Sequence, residues 1–192
     1  MKKSLFILIA CMFFMGNAWA QNSAVEAAQE YKETKVEQFL KTNHFTKVEQ
    51  IYTIKQDNFV MEPLVITNLL TGEKIAGVLT SYDDTGASLG YYDFDEIDDV
   101  LKVLDQILAL SKEKLTYKKT FVSWTSKSGV QIYYDAAKKE TFFRKKWHYT
   151  NQYGVRTVYY QSTDDTNIGA VDKIRKDLQH AKTLLEGIVA GK

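Results

Sequence analysis

The sequence predicts an α+β fold of antiparallel β-sheet and packed helices. Two observations carry that class. Short stretches rich in β-branched and aromatic residues, each bounded by Gly, Asn or Asp, come in runs rather than alternating singly with helices. Each run closes on a segment whose apolar residues recur at three and four positions, the spacing of a helix laid on a sheet.

In chain order, the Ala-rich, charged segment Ser23 to Leu40 predicts a leading helix, with Ser23 as its N-cap and Val25, Ala28, Val36, Phe39 and Leu40 on its apolar side. Phe45 to Lys55 predicts a strand ending at the turn formers Asp57-Asn58. Val60 to Leu70 and Lys74 to Tyr82 flank Thr71-Gly72-Glu73, a hairpin loop with a glycine free to take positive φ. Proline cannot donate to a sheet ladder, so Pro63 is expected at an edge or a bulge. After the turn Asp83 to Gly86 comes a short strand, Ser88 to Asp93, and then the stripe Ile97, Val100, Leu101, Leu104, Ile107, Leu108 of an amphipathic helix. The acids ahead of it (Asp93, Asp95, Glu96, Asp98, Asp99) lack the glycine and closing glutamate of a calcium loop, and fit an N-cap with negative charge near a helix start. The order then repeats. Leu115 to Thr125, Val130 to Asp135, Glu140 to Thr150 and Val155 to Gln161 predict strands, and Asp164 to Val189 a helix with Val171, Ile174, Leu178, Ala181, Leu185 and Ile188 on one face.

The expected organisation is thus a leader over 1–20, a helical segment over 21–44, and two β-β-β-β-α units over 45–111 and 112–192. In the leader, Lys2 and Lys3 precede the apolar run Leu5 to Met15 and the small-x-small site Ala18-Trp19-Ala20, the three parts of a secretory signal. The run is too short to anchor in a bilayer. Export to the periplasm or the exterior is expected, with cleavage near Ala20 and a mature chain beginning at Gln21. A competing reading makes Leu8 to Cys11 a lipobox with Cys11 lipidated, but the apolar stretch before Cys11 is short and the residues after it remain apolar. Cleavage at Ala20 would remove the chain's single cysteine, leaving neither disulfide nor thiolate chemistry. With 45% hydrophobic and 13% aromatic residues the composition is that of a folded chain, held by its core alone.

Charge is unevenly spread. Asp57 to Ser111 holds eleven acids and two bases, whereas Lys112 to Tyr160 holds eleven bases and three acids. Such polarity fits two halves attracting one another, two copies joined acidic half to basic half, or a charged partner for one half.

The tandem β-β-β-β-α order resembles that of the PUR and Whirly single-stranded nucleic-acid-binding families. The resemblance lies in element order across most of the chain after the leader, with no family motif to carry across. It implies antiparallel sheets that present a binding face, with helices behind them. The stretch that sharpens this expectation is TFFRKKWHYT, Thr141 to Thr150. Alternation along a strand puts Phe143, Lys145, Trp147 and Tyr149 on one side and Phe142, Arg144, Lys146 and His148 on the other. Aromatics mixed with cations suit a stacked, anionic ligand; for either face taken singly the simpler reading is that the aromatics fill the core while cationic stems reach water.

The expected binding residues are Arg144, Lys145, Lys146, Trp147 and His148, supported by Lys118, Lys119 and Arg156. The partner expected is a protein or a polyanion such as a glycan or a lipid headgroup; export argues against nucleic acid. No cofactor, metal or catalytic residue is expected. His44, His148 and His180 fall on three separate elements without metal spacing, and no serine elbow, H-E-x-x-H or phosphate loop occurs. The functional expectation is an exported, non-catalytic binding protein. A small envelope enzyme with a dispersed site, a homo-oligomeric scaffold and a PUR/Whirly-like polyanion binder stand as alternatives.

Overall fold

The computed structural model describes residues 32–82, 87–117, 119–150, 156–162 and 166–190. The class is α+β, with two antiparallel sheets and packed helices. The first helix, α1 (Lys35–Thr42), leads into β1 (Thr46–Gln50), β2 (Ile54–Gln56), β3 (Phe59–Asn68), β4 (Lys74–Tyr82) and β5 (Ser88–Asp93); a 3-10 turn at Phe94–Glu96 then opens α2 (Ile97–Leu110). The second run is β6 (Phe121–Thr125), β7 (Val130–Asp135), β8 (Glu140–Thr150) and β9 (Arg156–Ser162), closed by α3 (Ile168–Val189). The first sheet is ordered β1-β3-β4-β5, with β2 also paired to β3; the second is ordered β6-β7-β8-β9.

Pro63 lies within β3, between β1/β2 and β4, at the bulge expected of it and not on an edge strand: Gln50 pairs with Leu64 but Ile54 with Met61, so residues 51–53 face only 62 and 63. The Ile51 N–H donates to the Pro63 carbonyl at 2.9 Å, and proline has no N–H to return. The missing donor therefore faces the point where the single strand predicted over Phe45 to Lys55 breaks into β1 and β2. Residues 32–34, expected within the leading helix, are not helical, and the helix begins at Lys35; the predicted N-cap Ser23 lies outside the described residues. Thr34 is the N-cap there, in a capping box with Glu37. The last helix likewise starts at Ile168, capped by Asn167, whose side chain accepts from the Ala170 N–H.

The two sheets are covered differently. Alternate residues of β3 go to opposite sides. Phe59, Met61 and Val65 join the main core with α2 and α3, while Leu64 and Ile66 meet Val36 and Phe39 of α1. Burial on both faces explains why FVMEPLVITN reads as an almost unbroken apolar run. In the second sheet β7 alternates buried and half-buried. Val130, Ile132 and Tyr134 enter the core, and their neighbours face away from it. One continuous core joins both sheets and the two long helices, and Phe59 of β3 stacks on Phe143 of β8 with centroids 3.9 Å apart.

Two glycines permit the closest approaches. Gly77 of β4 lies beneath α1, where a Cβ would come within 2.6 Å of Val36 Cγ2 and 2.8 Å of the Tyr92 carbonyl oxygen. Gly90 of β5, at φ +144°, lies beneath the β6–β7 turn, where a Cβ would meet Ser128 Oγ and Val130 Cγ2, each at 2.9 Å. That turn is fastened by its own serines. Ser128 Oγ donates to the Tyr91 carbonyl at 2.6 Å, and Ser126 Oγ accepts from the Val130 N–H at 3.0 Å.

Candidate ligand-binding face

The half-exposed side of the second sheet is where the described residues leave aromatic and charged groups at the surface. Registers place its side chains in rows. Phe121 of β6 is level with Asp135 of β7 and Glu140 of β8; Ser123 with Tyr133 and Phe142; Thr125 with Gln131 and Arg144. Among the described residues no helix covers this side.

Across the rows runs an aromatic series. Phe121, 63% exposed, stacks on Tyr133 with centroids 5.7 Å apart and planes 26° from parallel. Tyr133 is followed by Phe142 at 6.4 Å. The guanidinium carbon of Arg144 lies 4.3 Å from the Tyr133 ring centroid, a cation–π contact. Its orientation is set by a relay across three strands. Arg144 Nε donates to Gln131 Oε1 at 2.6 Å, and Gln131 Nε2 donates to Ser123 Oγ at 2.6 Å. A side chain ordered in this way has little rotamer freedom left to lose in any further contact.

Beside the aromatics lies a groove of about 430 Å³ lined by Lys119, Thr120, Phe121, Tyr133, Asp135, Ala137 and Lys138. Asp135 Oδ1 accepts the N–H groups of Ala137 and Lys138 in the β7–β8 turn at 3.0 and 3.3 Å, and Lys138 Nζ lies 3.8 Å from Glu140 Oε2, so the two carboxylates offset part of the lysines' charge.

The structure brings together only part of the predicted site. Arg144 and Lys119 both belong to this side of the sheet. Lys145 projects from the opposite face of β8; it is half-buried, and burial pulls its ammonium below the ordinary lysine range against the opposing pull of Glu37. It cannot share a ligand with Arg144. Lys118 lies outside the described residues. Lys146, Trp147, His148 and Arg156 are placed by backbone alone, on the β8–β9 ladder, where Lys146 pairs with Tyr160 and Thr150 with Arg156. The expected binding residues do not include Phe121, Tyr133, Gln131 or Phe142, although alternation along β8 sets Phe142 beside Arg144. The signal was the alternation in VQIYYD, which sets Tyr133 in phase with Gln131 and Asp135 rather than with the core residues.

The acidic cluster is a joint between elements. Asp93, almost fully buried, stands at the N-cap of the 3-10 turn that opens α2, in a capping box with Glu96, and its carboxylate also accepts the N–H groups of Lys35 and Val36 at 3.0 and 3.2 Å, so it serves the start of α1 as well. Glu96 accepts the Asp93 N–H at 3.0 Å and the Lys127 N–H at 2.8 Å; burial raises its carboxyl above the usual range despite those bonds. Lys127 also reaches Asp95 at 2.9 Å, while Lys182 and Arg175 of α3 pair with Asp98 and Asp105 of α2 at 2.8 and 2.7 Å. Several acids of the negative segment are thus paired within one molecule. Of the other histidines, His180 meets Tyr52 edge-on at 5.6 Å and His44 is exposed ahead of β1. Among the described residues no helix is long and apolar enough to cross a membrane.

No family model, curated protein or solved structure matches this chain.

Proposed function

We propose that this chain is an exported, non-catalytic binding protein that holds an acidic glycan on the outer face of β6, β7 and β8. The observation that carries the reading is the row Phe121–Tyr133–Phe142 at the surface, with Arg144 locked over Tyr133. Aromatic faces carry partial negative charge, and the axial C–H groups of a pyranose carry partial positive charge, so a sugar ring lies flat on such a row. Lys119 and Arg144 supply cations around it for carboxylate or sulfate groups, and Lys138, paired with Glu140, is shared between that carboxylate and the ligand. The leader supports export, where polysaccharide is a more available polyanion than single-stranded nucleic acid.

The test uses purified protein against a uronic-acid polymer, a neutral dextran and single-stranded DNA, at low and moderate salt. Phe121→Ser and Arg144→Gln serve as variants, because both positions have solvent access and neither substitution opens the core. Capture of the uronic-acid polymer, falling about fivefold or more in each variant, is the expected result. Capture that is equal in folded variants and wild type removes the face assignment. Preference for DNA would replace the glycan with a nucleic acid. Reversing Arg144, Lys145 and Lys146 together to Glu would be a poorer test, since Lys145 is half-buried and a carboxylate there is costly whatever the ligand.

A further inference from the structure

A second surface lies at the far edge of the first sheet. Among the described residues β1 pairs with β3 and with no other strand, so one row of its backbone groups has no ladder partner. Which groups these are follows from the bonds at its ends. Leu69 N–H donates to the Phe45 carbonyl and Ile51 N–H to the Pro63 carbonyl. Phe45 and Ile51 are therefore in hydrogen-bonded register with β3, and so, two residues apart in each case, are Lys47 and Glu49. Thr46, Val48 and Gln50 turn their N–H and C=O groups outward.

We infer that β1 joins β1 of a second copy of this chain, antiparallel, about a two-fold axis through Val48. Only that centre aligns all three outward residues. Val48 then exchanges both bonds with Val48 of the second copy, and Thr46 does so with Gln50 in each direction, giving six backbone bonds. The residues between them form the closer, non-hydrogen-bonded pairs, and there Lys47 falls opposite Glu49 of the second copy, twice. Within one chain these two side chains already share a face, at 2.7 Å. One step further along, Phe45, 63% exposed, falls opposite Ile51 of the second copy. On the other face Val48, 55% exposed, meets its own equivalent. Centres at Thr46 or Gln50 would set Lys47 against Phe45, or Glu49 against Ile51, and lose a pair of backbone bonds on each side. Charge, apolar exposure and backbone phase thus select the same register. An edge of this kind is a template for strand addition, and self-complementarity makes the chain its own partner.

The test is the mass in solution, by sedimentation, of the protein purified after expression of the full chain. Wild type, Lys47→Glu, the double variant Lys47→Glu/Glu49→Lys and Val48→Pro are compared. Proline at 48 removes an outward N–H and leaves the bonds to β3 in place. A dimer is expected for wild type. Lys47→Glu sets two carboxylates against each other and should weaken it by about tenfold to a hundredfold. The double variant should restore it, since the opposition is then Glu against Lys again, and Val48→Pro should be a folded monomer. A monomeric wild type overturns the inference. So does a dimer indifferent to Lys47→Glu and Val48→Pro, or one lost in Lys47→Glu and not regained in the double variant.

Discussion

Single residues decide how closely the parts approach. Gly90 is the sharpest case, because its φ of +144° and the 2.9 Å contacts a Cβ would make both exclude a side chain. Gly90→Ala is expected to cost about 2 kcal/mol or more in urea unfolding, from backbone strain and from lifting the β6–β7 turn. Glu96→Gln changes one oxygen to an NH₂ group, so one of the two N–H donors now held by Glu96 would face another donor. A loss of about 1–3 kcal/mol is expected, measured the same way. Such roles were hidden in the sequence. Glu96 reads there as one of several acids before a helix, and only the fold brings the Lys127 backbone to it. Tyr133 was nearer to legible, since its place in the alternation of β7 marks it as outward.

Elements show the same division between local and distant causes. The stripes of α2 and α3 were plain in the sequence because amphipathic spacing is local. The break between β1 and β2 was not, because its cause, Pro63, acts from the neighbouring strand. Helix α1 is held from both ends of the sequence scale. Thr34 caps it from next door, and Thr34→Ala is expected to cost about 1 kcal/mol. Asp93 caps it from across the fold, which no reading of neighbouring residues reveals. Asp95, at the same joint, has its carboxyl held below the ordinary value of 3.8 by Lys35 and then Lys127. A carboxyl lowered in the folded state contributes stability above its unfolded value, and that contribution disappears as pH falls through its folded value. The stability gap between wild type and Asp95→Asn should therefore be present at pH 6 and close as the pH drops below about 3.8, as acid-titrated urea melts would show.

At the scale of the whole molecule, the two β-rich runs contribute to one core. The stacked pair Phe59 and Phe143 crosses between sheets, so Phe143→Ala should lower the stability of a single cooperative transition by about 3–5 kcal/mol. The α+β class was readable from the runs of strands and their closing helices. Which sheet side stays open was not, since that depends on where α1, α2 and α3 come to rest, and those helices close both faces of the first sheet. The strand TFFRKKWHYT belongs to both worlds: Phe143 is core, and Phe142 and Arg144 line the open side. The measurement that bears most directly on that side is an NMR titration of the labelled protein with uronic-acid oligosaccharides. The expected result is that resonances of Phe121, Gln131, Tyr133 and Arg144 Nε shift together and saturably, while those of β1 and α1 stay fixed. Saturable shifts confined to the acidic joint around Asp93 and Asp95, or no shifts at all, would contradict the account.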